Sequence, residues 1–175
     1  KLLLWAQSLS AGYTLWPAHL PSPRSYATDR EQYYGEKANL VFQKATAYVL
    51  SHERAHAVQG HLEFVRKSGT SRSLQLDLEK EADLAAFDDL ISPGLDDNEK
   101  SSEAWAVLSV MLSSFYVCRE PRDALISKSH PALHHRLAYV VRSLAFQDER
   151  YKYYFPFLCR LVLQVIFPEP LRLTK

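Results

Sequence analysis

The sequence predicts a mainly α-helical domain, and three observations carry that expectation. Apolar residues recur at helical spacing in Ala45 to Phe64, Leu74 to Leu90, Glu103 to Cys118 and Ala132 to Phe146, with a last apolar stretch from Phe157 to Phe167. Chain breakers punctuate these segments: Ser68-Gly69, Ser92-Pro93-Gly94 and Pro168-Glu169-Pro170. The 175 residues, 47% hydrophobic and 23% charged, suit one domain (1–175) with a sizeable core and exclude a disordered chain. A net charge of +1 argues against bulk nucleic acid as a partner.

Taken in order, the chain starts at Lys1 rather than Met and is expected to be a piece of a longer protein. The apolar run Leu2 to Ala6 is too short for a secretory leader, and no run approaches the ~20 apolar residues of a membrane helix. Trp16 to Ser25, with three prolines, reads as an extended loop, and polar Tyr26 to Lys37 leads into the first helix. That helix is expected from about Lys37 to Lys67, with Gly69 as its left-handed cap. Leu40, Val41, Ala45, Tyr48, Val49, Ala55 and Leu62 give it a broad apolar surface, so it is expected to be central and buried on most sides. Gly69 to Ser73 turns the chain so that the second helix returns along the first. Leu95 to Ser102, carrying Asp96, Asp97 and Glu99, reads as an exposed acidic loop without calcium-loop spacing. The third helix, around Trp105, Leu108, Met111, Leu112, Phe115 and Tyr116, reads as core. Arg119 to Ser129 is a loop before the fourth helix. The cluster Tyr151, Tyr153, Tyr154 and Phe155 suits packing better than base stacking, because no basic residues alternate with it. Cys118 and Cys159 lie in apolar helical contexts and read as two buried thiols in a reducing, cytoplasmic compartment.

The first helix contains His52-Glu53-Arg54-Ala55-His56, the pattern H-E-x-x-H. Each helical residue turns the side chain by about 100°, so His52 and His56 project one above the other and can grip one metal ion. Glu53 falls at the edge of that face, where a carboxylate can take a proton from water on a tetrahedral zinc. This is a zinc-hydrolase signature, and it needs a third ligand. One source is the continuation H-E-x-x-H-x-x-G-x-x-H, but here Gly60 comes one residue late and His61 one early. The other is a Glu from the second helix, where Glu79-Lys80-Glu81-Ala82-Asp83 places Glu79 and Asp83 on one face. Glu79 then ligates, and Asp83 accepts the free ring N–H of a ligand His, fixing its tautomer. Alone, that segment would read as a solvated acidic helix; H-E-x-x-H upstream shifts the balance.

A third block, His130-Pro131-Ala132-Leu133-His134-His135-Arg136-Leu137, reads H-P-x-x-x-x-R-L. With H-E-x-x-H and E-x-x-A-D ahead of it, in that order, the chain resembles the gluzincin metallopeptidases of the HtpX and CAAX-prenyl-protease kind. Gly60-His61 after the first block, without membrane spans, resembles still more the soluble phage-exclusion peptidases of the Lit type. The likeness covers roughly Ala45 to Leu137. It implies a compact helical zincin-like fold with an active-site helix, a glutamate helix and a small N-terminal strand region. It also implies Zn2+ as cofactor, a His130 that helps stabilise the oxyanion, and an Arg136 that buttresses the acidic helix. From the residues alone, His130 also fits the first turn of a helix that starts at Pro131. His134, four beyond His130, would permit a second metal pair only if Pro131 kept the turn regular.

Residues and resemblance together point to a zinc-dependent endopeptidase. His52, His56 and Glu79 hold the metal, Glu53 is the base, and a cytosolic protein is the substrate, with phage exclusion as the setting. Such peptidases hold substrate along an edge strand, and Leu2 to Leu15 offers the best place for one. A regulatory partner or flanking domain would carry the trigger. Two readings compete: a regulatory peptidase acting on a repressor, and a non-catalytic helical binding module with a structural zinc. Glu53 separates them, because a structural site has no use for a base beside its ligands.

Overall fold

The computed structural model describes residues 5, 8–20, 22, 25–69, 71–117 and 131–166. Within them the protein is mainly helical, as expected, with α1 (Asp29–Val58), α2 (His61–Ser68), α3 (Arg72–Leu90), α4 (Asp97–Val117), α5 (Leu133–Ser143) and α6 (Glu149–Ile166). The N-terminal strand expectation is corrected: Trp5 is helical, Leu9–Ala11 forms a 3-10 turn, and no strand occurs among the described residues. The hydroxyl of Ser8 donates to the Trp5 carbonyl at 2.7 Å, which closes a helical turn where a strand was expected.

Capping explains where the helices depart from expectation. α1 starts at Asp29, eight residues before Lys37, because Thr28 accepts from the Glu31 N–H at 3.2 Å while the Glu31 carboxylate accepts from the Ala27 N–H at 2.7 Å. The Tyr26 ring lies against Gly35, where a Cβ would collide with it, and Asn39 donates to the Tyr26 hydroxyl at 3.0 Å. The expected helix end near Lys67 is also corrected: α1 ends at Val58, Gly60 takes the left-handed conformation (φ 69°), and α2 starts in a new direction. The expected acidic loop is in fact the start of α4. Asp96 accepts from the Asn98 and Glu99 N–H groups at 2.8 Å each, and Glu99 reaches back to the Asp96 N–H at 3.0 Å. Asp97 and Glu99 in the first turn suit the positive end of the helix dipole. The Asp97 carboxylate also accepts from the Gln147 and Asp148 N–H groups, at 2.9 and 2.5 Å, tying the start of α4 to that of α6.

α1 packs against α2, α3 and α4, and α4 packs against α1, α5 and α6 and carries much of the core. α4 buries Ala104, Ala106, Val107, Leu108, Met111 and Leu112, joined in the core by Phe87, Leu137, Val140, Leu144 and Phe155. On α1 only Tyr48, His52 and Ala55 are buried, while Leu40, Phe42, Val49, Leu50 and Val58 are exposed. Its apolar residues are scattered around the helix, so one narrow stripe faces the protein. The aromatic cluster divides similarly, Phe155 stacking on Phe146 at 5.1 Å while Tyr153 and Tyr154 are exposed. Cys159 is buried, which pushes its thiol up to about 11; Cys118 lies outside the described residues. Among the described residues, no helix is long and apolar enough to cross a membrane. Met111→Ala should destabilise the protein by about 2–5 kcal/mol in urea unfolding, because the side chain is fully buried in the core cluster.

Candidate metal centre

α1 and α3 lie side by side and antiparallel, as the pairs Tyr48–Asp83, His52–Asp83 and His56–Glu79 show. Helical spacing stacks Tyr48, His52 and His56 on the buried stripe of α1, and Glu79 and Asp83 on the facing turn of α3. The two imidazoles turn the same nitrogen toward each other, Nε2 to Nε2 at 3.2 Å. His52 Nε2 lies 3.4 Å from one Glu79 oxygen and His56 Nε2 lies 3.6 Å from the other. Donor atoms of these three residues can be chosen all within 4.8 Å of one another. Ligands around a tetrahedral zinc with bonds of about 2.0–2.1 Å stand roughly 3.4 Å apart, so the donors are spaced for such an ion, and two His with one Glu is a zinc donor set.

Asp83 sits behind His52, its Oδ1 lying 3.0 Å from His52 Nδ1. Arg136, from α5, grips the same carboxylate with both prongs, Nε to Oδ2 at 2.6 Å and Nη2 to Oδ1 at 2.5 Å. Tyr48 donates to Asp83 Oδ1 at 3.2 Å. Burial opposes the charge on Asp83, but hydrogen bonds from His52 and Arg136 outweigh it and hold the carboxyl below its usual range. Burial likewise opposes protonation of His52, yet Asp83 and Glu79 outweigh it and push the imidazole up to about 9. Burial and then the nearby Asp83 charge raise the Tyr48 hydroxyl, which stays a neutral donor. Asp83 and Glu79 together thus favour a positive charge at His52.

One comparison with known proteins bears on this arrangement. The sequence profile of Peptidase U49 matches residues 1–156. The chain belongs to the Peptidase U49 family. No curated protein and no solved structure matches it.

The other candidates of this Peptidase U49 chain are placed as follows. Glu53 is exposed on the outward side of α1, next to His52 in the chain. His130 lies outside the described residues, so its expected oxyanion role has no geometry here. His134 and His135 are in α5 with ring centroids 4.1 Å apart. His61 is a residue that the spacing argument set aside: it is 4% exposed, and its Nδ1 is 2.9 Å from Nδ1 of His56. Tyr48 was noticed only as an apolar residue. Its place four before His52 is the available signal for a polar role; for His61 the signal is the Gly60-His61 extension of the first block, since the left-handed Gly60 breaks the helical phase on which spacing depends.

Proposed function

We propose that this chain is a zinc-dependent endopeptidase that cleaves a cytosolic protein, in the setting of phage exclusion. The convergence of His52, His56 and Glu79 carries the reading, and family membership supplies the reaction class. The phage-exclusion setting rests on the likeness carried by Gly60-His61 after the first block, in a sequence without membrane spans. His52, His56 and Glu79 would hold the zinc, which when bound would supply Lewis acidity to polarise the scissile carbonyl and activate water at neutral pH. Glu53, exposed and next to His52 in the chain, accepts the proton of the attacking water and delivers it to the leaving amine. His130 stabilises the developing oxyanion. Asp83 and Arg136 hold His52 in the tautomer that presents Nε2 to the metal.

Elemental analysis of the purified chain, wild type beside Glu53→Gln, tests this together with mass spectrometry of new N-termini in a proteome extract. We expect one zinc per chain in both proteins and cleavage by the wild type, slowed ~10²–10⁴-fold in Glu53→Gln, the range for loss of a general base. Absence of zinc from both would overturn the reading.

A further inference from the structure

The two histidines of the centre are supported differently, and the support of His56 is a buried third histidine. His61 begins α2 directly after the left-handed Gly60 and is almost wholly buried. Its ring meets that of His56 edge to face at 5.0 Å, and the two Nδ1 atoms are 2.9 Å apart. Its other nitrogen, Nε2, lies 3.5 Å from Glu81 Oε2, with Glu81 in the same turn of α3 as Glu79.

Two imidazole nitrogens at that distance share one proton donor and one acceptor. His56 needs the lone pair of Nε2, which faces His52 and Glu79, in order to ligate. Its ring proton is then on Nδ1, so His61 Nδ1 must accept it. That assigns the proton of His61 to Nε2, the atom facing Glu81. We infer that His61 is a positioning residue: with Glu81 behind it, it fixes the tautomer and rotation of His56 and strengthens Nε2 as a donor. The inference rests on the metal reading above. It gives both ligand histidines a backing that ends in a carboxylate, Asp83 with Arg136 for His52 and His61 with Glu81 for His56. It also gives Gly60 a purpose: only the reversal there brings a residue five beyond His56 back to its ring. An unbroken α-helix would carry that residue about 140° around the axis from His56.

The test uses the full chain loaded with Zn2+ and measures affinity by chelator competition in wild type, His61→Ala, His61→Asn and Glu81→Ala. Asn can present an amide oxygen close to where Nδ1 stands. We expect His61→Ala to weaken zinc binding ~10- to 100-fold, the usual range for loss of such a partner. His61→Asn should recover most of that loss, and Glu81→Ala should fall between. Long-range nitrogen–proton NMR of the loaded wild type should show His61 protonated on Nε2 with Nδ1 accepting. Zinc binding by the wild type with unchanged affinity in His61→Ala, or a His61 proton on Nδ1, overturns the inference and leaves the metal reading intact. A wild type that binds no zinc overturns the metal reading instead. If His61→Ala does not fold, the wild-type spectrum and Glu81→Ala, altered at a residue exposed to solvent, still decide the question.

Discussion

Arg136→Leu should cost about 3–5 kcal/mol of unfolding free energy, because it leaves the Asp83 carboxylate buried without its cation. Both side chains are largely withdrawn from water, Asp83 at 9% and Arg136 at 17% exposure, so solvent cannot replace the lost pair. The effect should not stop at stability. Asp83 would keep Tyr48 and His52 as neighbours, but one that no longer fixes its orientation. Zinc affinity should then fall ~10- to 100-fold. Lysine should rescue poorly, since it cannot form the two-pronged contact that Nε and Nη2 make. Urea unfolding of the metal-free protein, with chelator competition on the loaded one, reads the two effects separately. Wild-type stability in Arg136→Leu would show that the contact carries no net weight.

Glu79→Gln should remove the response of thermal stability to zinc. A ligand that binds only the folded state stabilises it by ~4 kcal/mol at a free concentration a thousand times its dissociation constant. For a protein of this length that shifts the midpoint by roughly 10 °C. Glu79 is the only anionic donor of the three, and its two oxygens reach both imidazoles, so an amide in its place weakens attraction to both sides of the site. Differential scanning fluorimetry with and without zinc should show the shift in wild type and little or none in Glu79→Gln. An equal shift in both would place the metal elsewhere.

The helical class and the convergence of His52, His56 and Glu79 were legible because both depend on spacing within regular helices. Residues four apart share a face whatever the surroundings, and E-x-x-A-D after H-E-x-x-H names the partner helix. Asp83 and Arg136 were legible as a supporting pair only through the likeness to known peptidases, since their contact joins helices 53 positions apart. The helix boundaries were less legible. Thr28 with Glu31 and Asp96 with Glu99 are capping pairs spelled out in the chain, but each lies in a polar stretch where periodicity gives no warning of a helix. The burial of α1 was misjudged for a different reason. Leu50 and Val58 are apolar, yet which side of a helix meets the protein is decided by what packs against it, and α1 buries only Tyr48, His52 and Ala55. His61 was hidden by Gly60, because one left-handed residue discards the phase on which every spacing argument depends.

The grip of Arg136 on Asp83 has a consequence for how distant damage is felt. The three donors come from the consecutive stretch that holds α1 and α3, while the guanidinium arrives from α5, which packs on α4. The Asp83 carboxylate is therefore a direct point of contact between α5 and the donor helices, beside the packing of α4 on α1. A substitution under α5 that tilts this helix, touching neither donor nor substrate, reaches His52 through that contact and loosens the centre from behind.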